Sequence, residues 1–358
     1  MHEITNPDTR FAILISGSTL PASIELAYLN GLKRTKCENV QIVETDRIYT
    51  NLTFLYKIAR RILPNNHRRI LAHNKILVRE IDKRGRGDVL LIFKGMEVLP
   101  DTLKKAKKAG LILVNYNPDH PFIFSGRGSG NANVRNGIKW FDLYMTYALD
   151  AKQALEKRNI PSYVLPFGFE NSSWMGQSLL KEEEINSCCF IGNPDSIRVA
   201  FLQEFAKNIP LHLYGTGWSQ SDFTSSVKIH EAVTGKEFYQ TLRKYRVQLN
   251  LMRPHNLNSH NMRTFDVPGC GGIGLMPRTR DHEHFFSDSN EAFIYDEVTD
   301  AAKTARHILD LSYEEAVKIR KSAREKTLQL GGDYNSRAQL MFDNIVSIQS
   351  KQSDSMRF

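Results

Sequence analysis

Leu249-Asn-Leu-Met-Arg253-Pro-His-Asn-Leu-Asn258-Ser259-His260-Asn261-Met-Arg263-Thr-Phe265-Asp266-Val-Pro-Gly-Cys270-Gly271-Gly272 runs from an apolar segment through a loop of Asn, Ser and His into a short helix, and leaves through glycines toward a further strand. A buried strand opening into a polar loop and then a helix is one half of a βαβ unit. In a parallel sheet built from such units, ligands sit at the carboxyl ends of the strands. The helix start offers unpaired backbone amides and a positive dipole end, which suit phosphate. Arg263 in the first turn adds donors matched to phosphate oxygens. Asp266, three residues on, shares its face and is placed to accept from ribose hydroxyls. An Arg–Asp surface pair accounts for the same two residues, so both readings stand at this point.

The same alternation extends in both directions. Upstream, short apolar runs at 11–15, 40–43, 89–93, 111–114, 140–146 and 162–165 read as strands, with helices over 21–32, 100–108 and 151–158. A second series begins with strand 188–191 and the turn Gly192-Asn193-Pro194, then helix 197–208, strand 211–214, helix 236–245, strand 248–252, helix 262–267 and strand 272–276. Helices over 299–309, 313–330 and 335–348 close the chain. The fold class is α/β: two Rossmann-like domains facing a central cleft. Residues 1–170 form the first, 171–334 the second, and 335–358 a terminal helix that crosses back to the first.

Composition narrows the class. The 358 residues are 41% hydrophobic and 24% charged, which excludes a disordered or collagenous chain. Four cysteines without metal-ligand spacing fit a reducing compartment, and residues 1–10 are too polar for a signal-peptide core, so a cytoplasmic location is expected. The net charge of +9 is concentrated: residues 31–110 carry 19 Lys and Arg against 8 Asp and Glu, while the remainder is slightly acidic. The N-terminal half is therefore expected to meet something anionic.

Several motifs drop out on their context. Gly269-Cys-Gly271-Gly-Ile-Gly274 matches G-x-G-x-x-G by letter, and Asp288 and Asp296 fall near the expected offset of about 20 residues. A helix and Pro268 precede it where the dinucleotide fingerprint needs a strand, so NAD binding is rejected. No Asp-x-Asp pair, Walker loop or G-x-S-x-G is present. His282-Glu283-His284 has i,i+2 spacing and is read as a solvated loop rather than a metal site.

With Asn250, Arg253, Arg263-Thr-Phe265-Asp266-x-Pro-x-Cys270-Gly271-Gly272, then Phe285-Phe286 and Phe293-Ile-Tyr-Asp296, the chain resembles the C-terminal domain of the CgeB-type glycosyltransferases, spore-maturation and related surface-polysaccharide enzymes of GT-B architecture. Cys189-Phe-Ile-Gly192-Asn193 is similar to that family's opening strand and glycine loop, and Leu213-Tyr214-Gly215-x-Gly217-Trp218 to its second strand and turn. Val89–Phe93 with Lys94-Gly95, then Val114-Asn-Tyr-Asn-Pro-Asp119, is similar to the N-terminal strand–K-G–helix–strand–aspartate run. The likeness spans about residues 89–344 and is most specific around 263–272. Two positions depart from it. Asp266 stands where the family more often has Glu, and Asn258, eight residues earlier, stands where the two-glutamate motif of retaining GT-B enzymes places its first Glu.

The resemblance implies a nucleotide-diphosphate sugar as substrate in the C-terminal domain, with no metal or other cofactor required. Gly192, Asn193, Arg253, Arg263 and the amides near Asn258, Ser259, His260 and Asn261 would hold the diphosphate and sugar. Asp266 would hold the ribose, and Tyr214, Gly215, Trp218 and His230 would line the base. On the acceptor side it implies Asp119 as general base, with His120 the neighbouring alternative and Gly17 and Lys94 close by. Turn-shaping by Asp119 is the competing account. The acceptor is expected to be a surface glycan or lipid-linked hydroxyl. The basic amphipathic stretch 52–83 would guide it: Lys57, Arg60, Arg61, Arg68, Arg69, Lys75 and Arg79 lie among apolar residues and suit an anionic membrane surface at its inner face. A core-facing helix with a solvated basic face explains the stretch equally. A non-catalytic binding module of the same fold is the alternative reading. A nucleic-acid-binding protein is disfavoured, because neither a single-strand stacking platform nor a helix-turn-helix is evident.

Overall fold

Val89–Phe93 and Ile112–Asn117 are buried along their whole length. A strand apolar on both faces needs cover on both, which is the condition of a parallel sheet between helices. The computed structural model describes residues 11–21, 23–37, 39–49, 67–124, 128–253 and 258–355. Residues 52–66 of the basic stretch, including Lys57, Arg60 and Arg61, lie outside the described residues.

The chain forms two compact units, the described residues of Met1–Pro166 with Tyr334–Phe358, and Phe167–Asp333. In chain order, unit 1 contains β1 (Ala12–Gly17), α1 (Ile24–Leu32), β2 (Asn39–Glu44), α2 (Arg68–Ile81), β3 (Val89–Phe93), α3 (Pro100–Lys108), β4 (Ile112–Asn117), α4 (Ala132–Gly137), β5 (Leu143–Thr146), α5 (Leu149–Glu156) and β6 (Ser162–Val164). Unit 2 contains β7 (Ile185–Ile191), α6 (Ser196–Phe205), β8 (Leu211–Tyr214), β9 (Val227–His230), α7 (Gly235–Lys244), β10 (Tyr245–Leu249), α8 (Arg263–Gly269), β11 (Gly274–Pro277), α9 (Arg280–Phe285), β12 (Phe293–Tyr295), α10 (Val298–Asp310) and α11 (Tyr313–Gln329). Helix α12 (Tyr334–Ser355) then belongs to unit 1.

Each unit has a six-stranded sheet, ordered β2-β1-β3-β4-β5-β6 in unit 1 and β12-β11-β10-β7-β8-β9 in unit 2. All the strand pairings are parallel. The strand order reverses between β1 and β3 in unit 1, and between β7 and β10 in unit 2. Loops leaving those strands diverge and open a crevice at the carboxyl ends, the usual ligand position in such sheets.

Helix α12 completes the core of unit 1. Tyr334, Ala338, Met341, Phe342 and Ile345 are buried against Phe11, Ile13, Tyr28 and Leu32. Phe342 stacks on Phe11 at 5.7 Å between centroids, and Tyr334 meets Tyr28 edge-on at 5.4 Å. Each such side chain contributes about 1.5–3 kcal/mol by leaving water. Helix α2 turns Ile70, His73, Asn74, Leu77 and Ile81 inward, so its apolar stripe is core, while Arg68, Lys75 and Arg79 stay exposed. Among the described residues no helix is long and apolar enough to cross a membrane.

Candidate functional site

In unit 2 the β7 strand ends at Ile191 and the chain turns through Gly192-Asn193-Pro194. Asp195 caps α6, its carboxylate accepting from the Arg198 amide at 3.0 Å. The Arg198 side chain reaches back across the crevice. It donates to the Asn193 carbonyl at 3.1 Å and to the Leu251 carbonyl, beyond β10, also at 3.1 Å. One guanidinium thus ties the loops on either side of the point where the strand order reverses. Arg263, at the start of α8, donates to the Ile191 carbonyl at 3.4 Å and to Asp266 at 2.7 Å, with its guanidinium 4.3 Å from the Phe238 ring centroid. Burial lowers the Arg198 pKa; Asp195 opposes the shift, and the charges of Arg253 and Arg263 add to it. Two guanidinium groups, Arg198 and Arg263, are thus anchored to backbone carbonyls at this crevice, and their positive charge suits an anion there. Sequence reasoning missed Arg198. The signal available was the Asp195-x-x-Arg198 spacing just beyond a strand and a glycine.

Several of the expected donor residues have protein partners in this structure. Asp266 was expected to offer a carboxylate to ribose; it is 1% exposed, and its oxygens accept from Arg263 at 2.7 Å and from the Tyr239 hydroxyl at 3.1 Å. Burial pushes its carboxyl up to about 6 against the pull of Arg263. It holds Arg263 in place. The amides at the start of α8 are also largely spent. Those of Thr264, Phe265 and Asp266 donate to the carbonyls of Asn261 and Met262, and that of Asn261 to the Thr264 hydroxyl. Ser259 and His260 turn inward: both donate to Asp281, at 2.8 and 2.7 Å, and His260 Nε2 accepts from the Phe167 amide. Asn258 and Arg253 are exposed.

A directed relay fixes the same loop. Asn261 Nδ2 donates to Asn250 Oδ1 at 2.6 Å, and Asn250 Nδ2 to the Thr264 hydroxyl at 3.3 Å. Thr264 donates to His282 Nε2 at 2.9 Å, and His282 Nδ1 to the Pro277 carbonyl at 2.7 Å. His282-Glu283-His284, expected in a solvated loop, lies in α9 instead. His282 is buried there, its amide donating to the Thr279 hydroxyl that caps the helix. Among the described residues no group of three or more His, Cys, Asp or Glu side chains is placed to hold a metal ion.

The neighbouring strands present a polar aromatic face. Tyr214 stacks on His230 at 4.4 Å between centroids and 11° between planes. Tyr214 and Tyr245 share a hydroxyl contact of 2.9 Å, while His212 Nδ1 lies 2.8 Å from the Tyr245 hydroxyl and 2.9 Å from His230 Nε2. Gly215 has φ of +152°, and a Cβ there would stand 2.3 Å from the Gly192 carbonyl oxygen. That same oxygen accepts from the Trp218 indole at 2.8 Å, and Asn193 Oδ1 accepts from the Thr216 amide at 3.1 Å. The structure therefore brings Gly192, Asn193, Gly215 and Trp218 together, with Tyr214 and His230 paired beside them.

In unit 1 the crevice between β1 and β3 gathers Gly17, Lys94 and Asp119. Lys94, with φ of +58°, reaches Asp119 at 2.5 Å and the Gly128 carbonyl at 2.7 Å. The Asp119 amide donates to Asn117 Oδ1 at 3.0 Å, an Asx-type turn just past β4. His120, the alternative base, shapes the loop through one ring nitrogen. Its Nδ1 accepts from the amides of Phe122 and Ile123 at 3.2 and 3.1 Å. Sequence reasoning missed Glu25. It sits in the first turn of α1, half-buried, with Lys94 among the charges acting on it, and burial raises its pKa. Gly17 makes room for it: a Cβ at Gly17 would lie 2.8 Å from Glu25 Cγ.

Residues 198–343 match the family model described as glycosyl transferase-like. No curated protein matches the sequence. Among solved structures, the N-terminal domain of trehalose-6-phosphate phosphatase from Candida albicans is similar, at 14% identity and TM-score 0.64, with 96% of this chain and 98% of that chain covered. Anabaena HepE in complex with UDP-glucose is similar at 13% identity and TM-score 0.62, covering 94% and 100%. A glycosyltransferase from Rickettsia africae is similar at 12% identity and TM-score 0.64, covering 95% and 99%. The fold is GT-B.

Proposed function

We propose that the protein transfers a sugar from a nucleotide-diphosphate sugar to an acceptor hydroxyl, with the diphosphate held at the β7–β10 crevice of unit 2. The observation that carries this is the pair Arg198 and Arg263, which donate to carbonyls of the loops after β7 and β10 and of Ile191, with Asp195 and Asp266 as their carboxylates and the exposed Arg253 in the loop beyond β10. In the reaction the acceptor oxygen bonds to the anomeric carbon as its bond to the diphosphate breaks. The nucleoside diphosphate leaves with the electron pair, and a base takes the hydroxyl proton. Guanidinium groups neutralise the leaving diphosphate, so the reading needs no cation. The Tyr214–His230 pair and the turn Gly215–Trp218 lie beside Gly192 and are assigned to the base and ribose. HepE in complex with UDP-glucose, a structure of the same fold, supports a nucleotide sugar as the donor class. The CgeB-type relationship and a surface-glycan or lipid-linked acceptor belong to this reading, as does a cytoplasmic protein meeting the membrane at its inner face.

Thermal unfolding with a panel of nucleoside diphosphates tests the donor site. A nucleotide at a hundred times its dissociation constant should add about 2.7 kcal/mol. Arg263→Gln should remove that gain, and a panel with no stabilising member would end the proposal.

Asp119 and Glu25 are the carboxylates assigned to the acceptor side. Removing a general base costs about 10²- to 10⁴-fold in rate. Asp119→Asn and Glu25→Gln should therefore separate them, the base being the one whose loss lowers kcat with donor affinity unchanged. If Glu25 is that base, the acid limb of the pH–rate profile lies above the ordinary carboxylate range, because burial holds its proton more tightly.

A further inference from the structure

At the amino-terminal end of the unit 2 sheet, away from the β7–β10 crevice, lies a second cavity of about 330 Å³. Its walls come from the segment 175–179, the last turn of α7, Gly271 and one face of α11. Arg243, Arg320, Lys321 and Arg324 all line it. Arg243 and Arg320 are 8% and 6% exposed.

The charges there are poorly matched. Arg243 donates to the carbonyls of Trp174 and Gln177, and Arg324 to the Gly269 carbonyl and Asn171 Oδ1. Carbonyl partners satisfy hydrogen bonds without cancelling charge. Glu184 pairs with Arg320 at 2.8 Å, but it also serves Arg246 at 2.5 Å. Glu325, the one acidic residue of the lining, stands 3.9 Å from Lys321, and Asp333 acts on Arg324 without an ion pair among the described contacts. Two guanidinium groups are thus set in a cavity wall with no carboxylate of their own, a costly arrangement unless an anion completes it. Met175, Val317 and Leu328 supply an apolar wall beside them.

We propose that this cavity binds a small phosphorylated ligand, its phosphoryl or pyrophosphoryl group facing Arg243, Lys321 and Arg324. The volume suits a metabolite-sized molecule, and unspent N–H groups on Arg243 and Arg324 supply the fork geometry that phosphate oxygens accept. The inference is independent of the glycosyl-transfer reading.

Inorganic pyrophosphate, titrated calorimetrically at low ionic strength, is the probe. The titration is made in the Arg263→Gln protein, so that the β7–β10 crevice is disabled. Binding should persist there and weaken at least about tenfold when Lys321→Glu or Arg324→Gln is added, each removing a charge-assisted contact. Lys321 is exposed, so Lys321→Glu should fold as the parent does and carries the test even if Arg324→Gln unfolds. Absence of pyrophosphate binding, or binding that ignores Lys321→Glu, would overturn the site. Loss of nucleotide binding alone would leave it standing.

Discussion

Asp266 shows how one buried carboxyl can read as a ligand group in sequence and act as a support in structure. Its face on the helix was legible from the i,i+3 spacing with Arg263. Its burial was not, because Tyr239 reaches it from a helix some 27 residues earlier. The raised carboxyl means that the folded protein binds this proton more tightly than the unfolded chain does. That stabilisation is complete below the ordinary carboxylate value and is lost as pH rises through about 6. Denaturant unfolding across this window should show a decline that Asp266→Asn flattens; an unchanged profile would mean that Asp266 does not titrate there. Gly215 makes a sharper prediction. Its backbone conformation and its approach to the Gly192 carbonyl both exclude a side chain, so Gly215→Ala should cost about 1–3 kcal/mol. The same change should weaken nucleotide binding, since Gly192 must move.

At the scale of elements, the strands were the most legible part. Runs such as Val89–Phe93 and Leu211–Tyr214 end where the sequence predicts, because apolar runs between turn residues leave little freedom. The polar loop after β10 was the least legible. Asn, Ser and His there resemble a ligand cradle, yet Ser259, His260 and Asn261 bond to partners just past β10 and on α9 that no local pattern announces. Helix α4 was missed because its Gly-flanked, Asn-rich sequence carries little helical signal; Asn131 caps it through the Val134 amide. The loop relay has a measurable worth. Thr264→Val keeps the shape but leaves His282 and Asn250 without a shared partner inside the protein, which should cost about 1–3 kcal/mol. If stability falls by that amount while Thr264→Ser restores it, the hydroxyl and not the packing is responsible.

Over the whole molecule, the excess positive charge belongs to unit 1. Part of it is legible as a surface: Arg68, Lys75 and Arg79 on α2 and Lys104, Lys105, Lys107 and Lys108 on α3 are exposed, and the two helices pack together. Leu71 and Ile76 stand among them at 39% and 49% exposed. The inward stripe of α2 is committed to the core, so the whole helix is not free to lie in lipid. Any membrane contact must be made by the outer face, mainly through charge. Such a contact is screened over a Debye length of about 8 Å at physiological salt, and each basic residue near an anionic surface is worth about 1 kcal/mol. Co-sedimentation with phosphatidylserine-containing vesicles should therefore be strong at low salt and fall steeply as salt is added. Reversing Lys104, Lys105, Lys107 and Lys108 to Glu should abolish it with the fold intact, since none of these side chains is buried. Binding that survives both high salt and charge reversal would mean that apolar side chains such as Leu71 and Ile76, and not charge, make the contact.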